Sequence, residues 1–554
     1  TDPEVDDVLR EALGKTTGLL KAGIIDSIGW RGKPAALPLL IPLLSDSDTN
    51  IAAAAATSLG RIGGPEALAA LSAVRGQPPA AVQAVVQSSL LHCAEDLAAS
   101  NNEAGAVGIY RELYDGKYPL GIRTAAWRGL VLTDSAHQIE LMEKALGGAD
   151  RPIELVALKV LRDSNNRPLI DACISQWASL PAQSQWAVMD AAVKRGPEAL
   201  PLVRTASRSP DATLRVAAWT AMGDLNDLAS IHALAQAAAG EGAERQAARD
   251  SLARLRGGGA SEAFEAELKA AATPEKVELL RALGARQDGE AANVLLQNAS
   301  AGDDSVRLAA LQSLTEIAPP DALSPLLDIA KKAGSDDLRN QALEALSVIC
   351  RASSDKDGAT RTVVEAQRRL PEAEQGGFLP LLADLGTADA LTVVEAASRS
   401  QDLDRAKEAV RALSQWPNAA PASYLLDLAR TATNTVLRTL ALRGAISVSG
   451  EESVASDRLA ILKQAMAEAN RPDERKQALS QLGQIPTPEA LDLALKAMDD
   501  PAVSNEAALA VVDIAEKLAP SNRALANEAA AKVLQNHKDG ELFRRASALR
   551  LKTE

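Results

Sequence analysis

Aromatic residues are scarce in this chain: three Phe, four Tyr and six Trp among 554 residues. Ordinary globular cores draw much of their buried area from aromatic rings. This core must therefore be built from Ala, Leu, Val and Ile. β-Branched runs are scarce too, whereas Ala and Leu, the best helix formers, abound. That balance predicts an all-α protein and argues against a sandwich, a barrel or an α/β enzyme. Cysteines are few. Cys93, Cys173 and Cys350 are odd in number and far apart, so they make no disulfide framework. No run approaches the roughly 18 consecutive apolar residues that a membrane-spanning helix needs. Positive charge is in deficit: 59 basic residues against 73 acidic leave a net charge of −14. Non-specific grip on nucleic acid needs a positive surface, so nucleic acid is not expected as a partner. The chain opens at Thr1 with neither an initiator Met nor a signal-peptide pattern, which reads as a processed or trimmed product.

Chemistry-bearing motifs are missing as well. The histidines His92, His137, His232 and His537 are dispersed. His92-Cys93 is a lone adjacent pair, and zinc needs further ligands at suitable spacing. Gly14-Lys15-Thr16 ends like a phosphate-binding loop, but Leu9 stands where its first Gly belongs. Asp46-x-Asp48-x-Asn50 begins like a calcium loop. Ile51 and Thr57 then occupy the positions that need Gly and Glu. That segment reads as a turn with a capping role. No Gly-x-Ser-x-Gly elbow offers a hydrolase nucleophile. No catalytic residue, metal or cofactor is therefore expected.

What the sequence does have is a repeat. Segments such as Val306-Arg307-x-x-Ala310, Leu338-Arg339-x-x-Ala342 and Leu214-Arg215-x-x-Ala218 recur. With the Arg as an anchor, sixteen anchors can be placed: Lys21, Ala52, Gln83, Arg123, Glu154, Ser184, Arg215, Arg245, Lys276, Arg307, Arg339, Gln375, Lys407, Arg438, Arg475 and Asn505. Twelve of the fifteen intervals are 30 to 32 residues; the others are 40, 36 and 37. Three residues past the anchor every position is apolar, and eleven are Ala. Seven past it, only Ser414 is polar. Spacings of three, four and seven lie on one helix face. The Ala column is expected where another helix backbone comes close.

A second apolar helix precedes each anchor helix. Several open with Pro and an acid, as in Pro65-Glu66, Pro197-Glu198 and Pro488-Glu489, which suits a helix N-terminus. The unit is thus helix, turn, helix in about 31 residues. One such pair cannot bury its own apolar face and must stack on its neighbours. At the front, Val5, Val8, Leu9 and Leu13 alternate with acids, which suits a capping helix.

The columns, together with an Asp before the anchor (Asp211, Asp304, Asp337, Asp404, Asp473), resemble HEAT repeats. In particular they are similar to the short bacterial type found in phycobilisome lyases. This resemblance implies an α-solenoid of about 16–17 helix pairs, curved into a right-handed superhelix, with the Asp and Arg columns forming a ladder between repeats. The expected organisation is one array over residues 1–554, with irregular or longer stretches near 98–120, 351–360 and 447–457. The last two read as surface loops. Gly257-Gly258-Gly259 reads as a tight turn. From Ile109-Tyr110 to Trp127-Arg128-Gly129-Leu130 the pattern is also loosely similar to HEAT arrays of large exported planctomycete-type proteins.

Residues 98–120 carry Tyr110, Tyr114 and Tyr118, three of the four tyrosines. Tyr is enriched at interaction hot spots. These three, with Trp177 and Trp186 flanking Leu180-Pro181, are the candidate partner contacts. Trp127 and Trp219 fall in core columns. The basic residues Arg245, Arg249, Arg254 and Arg256, and Arg544, Arg545, Arg550 and Lys552 at the C-terminal end, read as solvated faces. The leading functional reading is a non-catalytic scaffold that binds a protein partner, or a neighbouring domain of a longer chain, on its concave face. The alternative is a helical accessory module of a larger enzyme, lyase-like or associated with carbohydrate or haem.

Overall fold

The structure, a computed structural model, describes residues 3–76, 80–300, 302–536, 538 and 540–553. Among them are 34 α-helices, joined by turns and short 3₁₀ segments, and no strand. By residue contacts the chain divides after Leu255 into two units, 1–255 and 256–554. The division falls just before Gly257, which, like Gly259, takes a positive φ. Eight helix pairs make up the first unit and nine the second.

Each unit is an all-α solenoid. In the first, the anchor helix Gly18–Arg31 packs on Thr49–Ile62, and Ala212–Asp224 on Gly242–Arg254. In the second, Thr273–Ala285 packs on Asp304–Ile317, which packs on Asp336–Ala352. The column positions fill the seams. Three residues past the anchor, every side chain except Ile24 is buried. Seven past it, the exception is Ser414. Burying one Leu or Val is worth about 1.5–3 kcal/mol, and each seam repeats that gain, with rings such as Trp127, Trp219 and Phe378 added at only a few.

A further close approach between anchor helices occurs at a glycine eight residues past the anchor. A Cβ on Gly29 would sit 2.8 Å from the Cα of Ser58. On Gly60 it would sit 3.0 Å from Ser89 Cα, and on Gly223 2.8 Å from Ser251 Cα. On Gly284 it would sit 2.8 Å from Ser313 Cβ. The serine, six past its own anchor, often bonds across the seam. Ser58, Ser251 and Ser313 donate to the carbonyls of Ile25, Trp219 and Leu280 at 2.9, 2.8 and 2.8 Å.

Most acids of the Asp column lie one or two residues past the helix cap. Asp211 caps its helix, accepting from Leu214 N. Asp304, Asp337 and Asp404 do not cap; Asp303, Ser335 and Asp402 do. An N-cap needs extended backbone so that its side chain can turn back to the first N–H groups. The acids one or two places on already lie in the helix and act on its dipole. Asp48 caps Thr49–Ile62, as the turn reading of that segment expects.

The Arg ladder holds in places. Arg123 reaches Asp150 at 2.9 Å, Arg215 reaches Glu244 at 2.6 Å and Arg475 reaches Asp500 at 2.7 Å, each in the next repeat. Arg307 and Arg339 pair instead with Asp304 and Asp336 of their own helices.

Two irregular stretches differ from expectation. Residues 351–360 are mostly not a loop: Asp336–Ala352 runs on through Arg351, and Lys356–Arg368 starts after a short turn. Asp355 caps the second helix by accepting from Gly358 N, so its Ser, Asp and Gly make a cap. Residues 447–457 hold the end of Thr435–Val448, a 3₁₀ turn and the start of Ala455–Glu468. In the repeat anchored at Gln375 the anchor helix shrinks to Leu379–Leu385 behind two 3₁₀ turns. At the front, Val8, Leu19, Leu20 and Trp30 stay exposed, so the first helix covers the second only in part.

Candidate partner-binding groove

The 40-residue interval after Gln83 is taken up largely by helix. Its anchor helix, Ala80–Ala99, runs 20 residues where Thr49–Ile62 has 14. The next helix, Glu103–Leu113, ends at Tyr114, and a turn through Lys117 and Tyr118 leads to Leu120–Thr133. This turn and the long helix both line a groove of about 800 Å³ in the first unit. That size lies within the usual range of ligand pockets, about 300–1,000 Å³.

The walls are polar. Arg75 and Glu112 face each other as an ion pair, each about one-third exposed. Gln83 and Gln87, one turn apart on Ala80–Ala99, line one side, and Lys117 and Tyr118 the other. The ammonium of Lys117 lies 5.1 Å from the centre of the Tyr118 ring. Gln87 is only 5% exposed, and its Oε1 has no hydrogen-bond partner among the described residues.

The five sequence-derived contact candidates separate. Tyr110 is 3% exposed, its ring against Gly129, where a Cβ would lie 2.3 Å from the ring. It is a core residue and is not available to a partner; burial pushes its hydroxyl up to about 12. Tyr114 is half-buried, and Tyr118 turns into the groove floor. Trp177 is buried, its Nε1 donating to the Gln185 carbonyl at 2.8 Å, so it too is withdrawn from any partner. Trp186 is 41% exposed and lines a separate 400 Å³ hollow with Leu214 and Thr213. Tyr118 and Trp186 thus lie at two different hollows. Trp127 and Trp219 are buried as the columns require. Sequence reasoning missed Arg75, Gln83, Gln87 and Glu112. The broken period alone pointed to their neighbourhood.

Other chemistry is sparse. Among the described residues, no group of three His, Cys, Asp or Glu is placed to hold a metal ion, and no helix is long and apolar enough to cross a membrane. His92 Nδ1 lies 3.5 Å from Glu95 Oε2, and His137 Nδ1 lies 2.9 Å from Asp134 Oδ1. His537 lies outside the described residues. Burial pushes the thiols of Cys93, Cys173 and Cys350 up to about 11, 12 and 12. Arg254 donates to the Thr220 carbonyl, and Arg545 is bound by Asp513 and Glu516.

Tandem helix pairs, each sealed only by its neighbours, define an α-solenoid repeat protein. A family model described as HEAT repeats matches residues 6–90 and 261–347. Those two segments carry HEAT repeats. No curated protein matches it. Solved structures similar to it include importin β crystallised in ammonium sulfate. There the identity is 13%, over 96% of this chain and 86% of that one, with a TM-score of 0.33. Yeast importin-β (Kap95p) is 13% identical over 93% and 83%, with a TM-score of 0.35. Kap121p bound to Pho4p is 14% identical over 100% and 67%, with a TM-score of 0.39.

Proposed function

We propose that the chain is a non-catalytic scaffold that binds a protein partner, either a separate protein or a neighbouring domain of a longer chain. One observation carries this reading. The widest break in the repeat builds a polar groove, with a buried, unpartnered acceptor, where lengthening a loop would have sufficed. Repeat solenoids gain binding surface by adding units that contact only their neighbours, and a local irregularity is then a place for specificity. Burial holds the thiols of Cys93, Cys173 and Cys350 protonated at neutral pH, which withholds the thiolate nucleophile.

The test uses the full chain as bait on extract from its native cells. A captured protein is then mapped on the bait by hydrogen exchange. Protection should concentrate on residues 72–76, 83–87 and 112–119. Capture of no protein, or turnover of a small molecule by the purified chain alone, would contradict the reading.

A further inference from the structure

We infer that the groove takes an extended polypeptide segment, held through its main chain by Gln83 and Gln87. This rests on the scaffold reading above and names the form of the partner at that site. The two glutamines are one helical turn apart, about 6 Å along the helix axis. An extended strand repeats its main-chain groups on one side every two residues, about 6.6–6.8 Å. Two amides at that spacing meet residues i and i+2 of a strand laid along Ala80–Ala99. Each carboxamide brings an acceptor oxygen and a donor NH₂, the complement of a peptide N–H and C=O.

Gln87 lines the groove and carries the unpaired acceptor. It is buried and has no donor among the described residues. A buried acceptor without a partner carries a standing cost, and a main-chain N–H entering the groove removes it. The charged residues of the wall, Arg75 and Glu112, already neutralise each other. Lys117, the third charged residue of the wall, lies 3.7 Å from Asp115, so the groove has no surplus charge to select an ionic head group. An oligosaccharide, the other ligand rich in donors, needs an open aromatic face to stack on. Tyr118 is 9% exposed and partly covered by Lys117. The walls favour peptide.

The experiment uses the full chain and a pool of capped ten-residue peptides of random sequence. One recovered binder is remade with single N-methyl groups along its length. Binding should weaken when i or i+2 is methylated and stay unchanged at i+1. Gln87→Met, close in shape but without the amide, should lower peptide affinity about tenfold, the scale of one lost hydrogen bond. The same change should raise the melting temperature, because the orphan acceptor is gone; a purely structural glutamine would lower it. Gln83→Met, on a more exposed side chain, supplies a second variant and should weaken binding in the same way. Three results would overturn the inference: no peptide recovered, binding indifferent to N-methylation, or a mixed oligosaccharide pool bound in place of peptide. If the Gln87→Met chain captures whole proteins as well as the native chain does, the scaffold reading stands and this inference falls. If the native chain captures none, the scaffold reading itself falls.

Discussion

The hydroxyl of Ser251 donates to the carbonyl oxygen of Trp219 at 2.8 Å, and Gly223 faces the same serine so closely that a Cβ there would lie 2.8 Å from Ser251 Cα. Backbone meets backbone at this seam. Similar close approaches join Gly29 to Ser58, Gly60 to Ser89 and Gly284 to Ser313. Neighbouring repeats in these stretches are thus spaced by absent side chains as much as by large ones.

Two glycines on one helix separate this effect from helix propensity. Gly23 has nothing within 4 Å of its would-be Cβ, whereas Gly29 faces Ser58. Gly23→Ala should stabilise by about 0.5–1 kcal/mol, the usual gain inside a helix. Gly29→Ala has the same gain but overpacks the seam by about 1–3 kcal/mol, so the net change should be a loss. Denaturant unfolding of the two variants decides it. Stabilisation by both would show that the seam can open without cost.

The Ala column gives a second prediction, in the other unit. Ala310 and Ala342 are fully buried. Ala310→Leu should overpack the stack by about 1–3 kcal/mol. Because repeats contact only neighbours, hydrogen exchange should speed up across residues 276–350 and little elsewhere. Unchanged protection there would place the column off the seam.

The repeat, the helix pairs and both apolar columns are legible in the sequence, because an Ala or Leu at a fixed helical spacing has one simple meaning. The glycine column is not. A glycine inside a helix lowers propensity and looks like a fault, and only the facing backbone of Ser58 or Ser251 reveals its purpose. Residues 351–360 mislead for a related reason: Ser353, Asp355 and Gly358 have loop character, yet Asp355 and Gly358 together start a helix. In the groove, Tyr118 could be found from the broken period. Gln87 could not, since its burial depends on a turn that the extra residues displace.

The thiols should be silent in the native protein. Burial raises all three, to about 11 for Cys93 and about 12 for Cys173 and Cys350. A disulfide reagent at mildly alkaline pH should label almost none of them. Denaturant should expose all three. Rapid labelling of one in the native state would show that its repeat opens locally.

Acid should weaken the first unit in part through Asp227. Burial pushes this carboxyl up, but bonds from Arg204 and Ser230 outweigh it and hold the folded value below that of a free aspartate. A depressed folded value means that the stabilisation is complete above the unfolded value, about 3.9. It is lost as pH falls through the folded value. Asp227→Asn should lower stability at neutral pH and flatten this acid limb. An acid limb as steep as that of the native chain would assign the loss to other carboxylates.

Site-specific photo-crosslinking tests the central claim, that the groove made by the broken repeat is where a protein partner sits. A benzophenone side chain is placed at exposed Ala84, which lines the groove, and as a control at exposed Gln246 on Gly242–Arg254 of the same unit. In native extract, position 84 should form an adduct with a discrete protein, lost when Gln87→Met is added, while position 246 should form none. Adducts at 246 but not at 84 would contradict the account, whereas adducts at 84 that ignore Gln87 would keep the groove and overturn only the glutamine contact.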